Sequence, residues 1–102
     1  MNGTNKLSVK QRQYLKGLAH NLDPVVMLGD KGLTPAVIKE IDINLTAHEL
    51  IKVRILGDDR ELRLAAIDEI CNKTSAYLVQ HIGKLLVLYC PSEKNKIVIN
   101  KL

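Results

Sequence analysis

The spacing of apolar residues changes several times along the chain, and each change marks an element. Between Val9 and Leu22, apolar residues recur at helical spacing: Tyr14, Leu15, Leu18 and Leu22. Ser8 and Gln11 make an S-x-x-Q capping box, so a helix is predicted from about Val9, closed by Asp23-Pro24. Gly17 lies inside it at a cost of about 1 kcal/mol relative to alanine, which close packing would explain. Val25 to Leu28 is a short apolar run and reads as a buried strand. After Gly29 to Gly32, Thr34 is a good N-cap and Pro35 suits the first helical position. Val37, Ile38, Ile41, Leu45 and His48 then predict a second helix from Pro35 to about His48.

From Glu49 to Ile55 the period falls to two. Ile51, Val53 and Ile55 point one way and Leu50, Lys52 and Arg54 the other. Gly57-Asp58 turns the chain, and Asp58 and Glu61 repeat the cap spacing. Leu62, Ala66 and Ile70 predict the inner face of a third helix ending near Lys73. Ala76 to Ile82 and Leu85 to Cys90 read as strands. The Gly83-Lys84 connection between them has the type II′ hairpin signature. Pro91 stops the last strand, and Ile97 to Ile99 predict a short edge strand in the tail.

The order is helix, strand, helix, strand, helix, strand, strand. Right-handed crossovers favour parallel strands, and the final hairpin must be antiparallel. The expected fold class is α/β (α+β two-layer): a mixed four-stranded sheet with three helices, order α-β-α-β-α-β-β. With 102 residues, one domain spanning 1–102 is expected, with flexible ends at about 1–6 and 92–102. There is no Phe or Trp and only 3 Tyr, so the core must be aliphatic. The longest apolar run, Leu85 to Cys90, is too short to span a bilayer, and the N-terminus lacks an apolar signal stretch. The expectation is a cytoplasmic protein with no membrane partner, and a monomer by default.

Little in the chain points to catalysis. His20, His48 and His81 have no Cys or carboxylate at ligand spacing, and Cys71 and Cys90 form no CxxC pair. The serines occupy cap or loop contexts without a nucleophile elbow, and no GxxxxGK[ST] loop occurs. Acidic Asp58 to Glu61 reads as a helix cap and solvated first turn. No enzyme, catalytic residue, metal or cofactor is therefore expected.

The net charge of +4 leans toward an anionic partner, and the strongest local pattern agrees. Gly29-Asp30-Lys31-Gly32 joins a strand to a well-capped helix. Glycines at both ends let a polymer backbone approach closely, and the helix N-terminus favours anions. Lys31 adds a mobile positive charge, and GxxG loops clamp nucleic-acid backbone in this way. An ordinary tight turn is the simpler alternative, and Asp30 would repel phosphate unless it points away. Lys10, Arg12 and Lys16 on the first helix, Lys52 and Arg54 on the outer strand face, and Lys84 at the hairpin tip could join a phosphate-binding surface. With so few aromatics, such a surface would grip backbone and shape more than read bases.

"LSVKQRQYLKGLAH", "PVVMLGDKGLT", "AHELIKVRI" and "QHIGKLLVLYCP" together resemble the YhbY family of single CRM (chloroplast RNA splicing and ribosome maturation) domains. The resemblance covers roughly Leu7 to Pro91, with "GLT" directly after Asp30-Lys31. It implies a fold like the C-terminal domain of the third bacterial translation initiation factor. It also implies RNA binding centred on Gly29, Asp30, Lys31 and Gly32, and association with precursors of the large ribosomal subunit. The implied partner is ribosomal RNA, with ribosomal proteins as possible further partners. No activity or cofactor is implied. The chain departs from the family in having Cys90, where a basic residue often precedes the proline, and in having Asp30 in the loop. The alternative function is a protein-docking module using the outer strand face with Leu50, or the tail.

Overall fold

The computed structural model describes residues 7–29, 32–94 and 96–99. Three helices, α1 (Val9–Ala19), α2 (Pro35–His48) and α3 (Arg60–Thr74), alternate with strands β1 (Pro24–Leu28), β2 (Leu50–Ile55), β3 (Tyr77–Ile82) and β4 (Leu85–Tyr89) in the expected order. The strands form one sheet in the order β1-β2-β4-β3. β1 and β2 run parallel, while β4 is antiparallel to both neighbours and lies between β2 and β3.

Local chemistry explains the element ends. Ser8 and Gln11 close both bonds of the capping box, and Thr34 accepts from the Val37 N–H ahead of Pro35. The third helix is capped by Asp59, not Asp58: its carboxylate accepts from the N–H groups of Glu61 and Leu62. Gly83 turns the hairpin at a φ of 55°, as the first position of a type II′ turn requires.

The sheet alternation sorts the core into two clusters. Val26, Leu28, Ile51, Val53, Ile55, Leu86 and Leu88 face α2 and α3, meeting Ile41, Leu45, Ile67 and Ile70. Leu50, Val79, Val87 and Tyr89 face the opposite way, onto Leu15 and Ala19 of α1. Both sheet faces are covered, so the expected two layers are in fact three.

The same packing corrects several expected faces. Helix α1 docks through Leu15, a member of the expected stripe, and Ala19, while the stripe's other members Tyr14, Leu18 and Leu22 stay 43%, 40% and 37% exposed. Strand β1 is an edge with one buried face, so Val25 and Met27 project outward. In α3, Ile67, Ile70 and Thr74 are buried, and Leu62 is exposed. A β-carbon on Gly17 would meet nothing within 4 Å among the described residues, so close packing against them does not account for that glycine.

The described part of the tail forms no strand. Instead Ile97 and Ile99 pack on the α1-side cluster, and Gln11 donates to the Ile99 carbonyl at 3.1 Å. Glu49, fully buried at a φ of 67°, anchors this segment. Its carboxylate accepts from the Ser92 hydroxyl and from the N–H groups of Lys96 (3.0 Å) and Ile97 (2.8 Å). Among the described residues, no helix is long and apolar enough to cross a membrane.

Candidate nucleic-acid interface

Because β1 and β2 are parallel, their C-terminal ends meet at one end of the sheet. The hairpin tip arrives there too, since Arg54 lies opposite Leu85. The glycine loop starts at this end. The Gly32 N–H donates to the Gly29 carbonyl at 3.0 Å, and α2 begins just beyond, at Thr34. Asp30 and Lys31 lie outside the described residues.

The two glycines differ in what the fold asks of them. Gly32 has a φ of 70°, which side chains other than glycine rarely adopt, so the turn explains it. Gly29 is exposed and not in the left-handed region, and an added β-carbon would meet nothing within 4 Å among the described residues. The turn alone does not require a glycine at position 29.

The basic candidates fall into three places. Lys84 sits at the loop end, and its ammonium pairs with Asp58 at 3.1 Å. Lys52 and Arg54, half-buried, stand on the α1 side of the sheet, where Lys16 joins Lys52 in lining one groove. Lys10 is exposed near the N-terminal end of α1. Arg12 turns inward: its guanidinium donates to the carbonyl of Leu78 and, at 2.9 Å, to that of Val79. The strand register slips between Leu78 and Gln80, so Arg12 satisfies acceptors at that irregularity. The structure thus gathers Lys16, Lys52 and Arg54, sets Lys84 with the glycines, and gives Arg12 a structural bond.

Other titratable groups offer little chemistry. Burial, reinforced by Asp68, pushes the Cys71 thiol up to about 11, and burial with Asp42 and Glu49 pushes Cys90 up as well. Both therefore stay protonated thiols at neutral pH, the less nucleophilic form. Among the described residues, no three His, Cys, Asp or Glu side chains are placed to hold a metal ion. His20 and His48 are exposed, and the His81 ring lies between Arg63 and the Gly83 carbonyl.

Sequence reasoning missed three features near this surface. Met27 is an exposed residue on the same side as Arg54, its cross-strand partner. Ile82 is exposed across from Leu85, and Gly17 opens onto the groove with Lys16. An alternating reading of "VVML", in place of a continuous buried run, would have pointed to Met27.

These features define a small α/β/α domain with a glycine loop and one basic side. The chain belongs to the CRS1/YhbY (CRM) domain family, which matches residues 7–89. A Haemophilus influenzae relative named "RNA-binding protein" is 57% identical over 91 residues, covering 89% of this chain and 92% of its own. The Bacillus subtilis "Probable RNA-binding protein YqeI" is 37% identical, covering 88% and 94%. A Staphylococcus aureus protein solved in solution, with a proposed RNA-binding role, superposes with a TM-score of 0.77 at 39% identity, covering 88% of this chain and 94% of its own.

Proposed function

We propose that this chain is a non-catalytic RNA-binding protein that holds ribosomal RNA of the large-subunit precursor and assists its assembly. The names of its relatives support RNA binding. The ribosomal step rests on the family resemblance. The observation that carries the loop assignment is Gly29. A glycine that the turn does not require, beside a capped helix N-terminus, leaves room for a phosphate backbone. Gly29, Asp30, Lys31 and Gly32 grip the backbone, and Lys16, Lys52, Arg54 and Lys84 add salt-sensitive attraction. Lys10 contributes at longer range, and Arg12 mainly sets the position of α1.

The test is binding to deproteinised large-subunit ribosomal RNA across a salt series, with Lys31→Asp and Gly29→Ala beside the wild type. Both variants should keep the wild-type circular dichroism. Lys31→Asp should lose affinity and flatten the salt slope by about one unit per lost phosphate contact. Unchanged affinity in both would make the glycines an ordinary turn.

A second reading, docking on a ribosomal or assembly protein, cannot use Leu50 itself, because α1 buries it to 5% exposure. The surface that favours it is the groove between the loop and α3, where Leu56 and Leu62 are exposed beside Asp58 and Asp59. Wild-type RNA binding no tighter than that of any small basic protein would favour that reading.

A further inference from the structure

Helix α1 and the tail leave part of their side of the sheet open. They cover the row in which Leu50, Tyr89 and Tyr77 stand side by side. Nearer the loop, Met27, Arg54, Leu85 and Ile82 form another row across all four strands. Met27 is 62% exposed and Ile82 59%. Between this row and α1 runs an open groove of about 410 Å³. Lys52, Gln80 and Val87 form its floor, Lys16, Gly17 and His20 its wall, and among the described residues no carboxylate lines it. Among the described residues, Lys16, Lys52 and Arg54 make no salt bridge.

Gly17 is an independent clue. It lies in the last turn of α1, where alanine would still favour the helix more, and packing against the described residues does not require it. A missing side chain on a groove wall permits close approach from outside the chain. The charge around the groove suits an anion, and its floor suits an apolar or aromatic ring. Met27 and Gly29 flank Leu28 at one strand end, so the strip runs into the glycine loop.

We propose that this groove and strip bind a single-stranded RNA segment leading away from the loop. Its phosphates lie against Lys16, Lys52 and Arg54, and its sugar edge passes Gly17. Its unstacked bases rest on Met27, Leu85 and Ile82. Only unpaired bases expose faces to such a surface, and the Met27 thioether makes favourable contacts with aromatic rings. No hydrogen-bonding code is needed, so the contact tolerates sequence changes. This inference rests on the RNA-binding reading above but does not require the loop to be the clamp.

Two variants test it, with a short single-stranded RNA and the perfect duplex of the same sequence as probes. Met27→Ser combined with Ile82→Ser should lower single-strand affinity about tenfold, leaving the salt slope and duplex affinity unchanged. Gly17→Ala should raise the melting temperature yet weaken single-strand binding. Wild-type single-strand affinity in both variants, with Lys31→Asp still defective, overturns this proposal and spares the loop. If Lys31→Asp also binds normally, both assignments fall, and the strip is left to an acidic protein partner. Equal losses on single strand and duplex would also overturn it, because apolar contact with bases requires unpaired RNA.

Discussion

The two sides of the sheet are built from similar elements but serve different ends. On one side, α2 and α3 close over the sheet, and acidic residues (Glu40, Asp42, Glu61, Asp68, Glu69) mix with basic ones (Lys39, Arg60, Arg63, Lys73). Some of these charges satisfy one another, as Lys73 and Glu69 do at 3.0 Å. On the other side, a single helix with Lys10, Arg12 and Lys16 and no acidic residue packs over β2, β4 and β3 away from the loop end, and β2 adds Lys52 and Arg54. The doubly covered side supplies most of the buried apolar surface. The singly covered side leaves cations and part of the sheet open to a partner.

Matched core truncations break the comparison most sharply. Leu15→Ala and Ile70→Ala remove fully buried side chains from opposite sides, and each should cost about 3 kcal/mol in denaturant unfolding. Under conditions where both remain folded, Leu15→Ala should weaken RNA binding by loosening α1, and Ile70→Ala should not. Equal binding losses would mean that the two sides do not divide the work.

The link between the sides is Glu49. Burial pushes its carboxyl upward, but hydrogen bonds from the Ser92 hydroxyl and the Ile97 and Lys96 N–H groups outweigh that and hold it below its ordinary value. A lowered folded value means that the charged form stabilises the fold. This contribution is complete above about 4.5, the unfolded value, and is lost as pH falls toward the folded one. Glu49→Gln should therefore flatten the acid limb of a stability-against-pH curve. Glu49→Ala should cost about 2 kcal/mol at neutral pH, because buried donors lose their acceptor. An acid limb identical to wild type would remove Glu49 as the tail's anchor.

The element order was legible because its signals are local. Ser8-Gln11, Thr34-Pro35 and Gly83 each fix a boundary with residues adjacent in sequence. Which face turns inward was not. Of the stripe expected around α1 only Leu15 turns inward, joined by Ala19, while Tyr14, Leu18 and Leu22 stay exposed and Arg12 bonds the irregular segment of β3. That bond depends on a strand far along the chain, so no window of sequence contains it. Glu49 is equally nonlocal: a charged residue beside a strand reads as exposed until the tail's donors surround it. The residue types of the candidate site were legible. The groove shared by Lys16 and Lys52 appears only once the sheet and α1 are packed together.

Arg12 is the next test of the division. If its guanidinium mainly braces α1 against β3, Arg12→Ala should cost about 1.5 kcal/mol, since the bonds it loses involve a charged donor. Arg12→Lys should recover only part of that, because an ammonium does not reproduce the planar fork. A full loss of RNA affinity with unchanged stability would instead make Arg12 a direct contact.

The smallest expected effect compares one cation from each side. Lys73 lies on α3 in an exposed pair with Glu69, and such pairs are worth about 0.3 kcal/mol. Lys73→Gln should barely change the melt and should leave RNA affinity and salt slope at wild-type values. Lys52→Gln removes the same formal charge but from the groove beneath α1, so it should flatten the salt slope by about one phosphate contact. If RNA were drawn only by net charge, the two variants would weaken binding equally. A difference between two single-charge removals in one small domain must come from where the RNA lies. Its sign is therefore a direct reading of which side of the sheet faces the ligand.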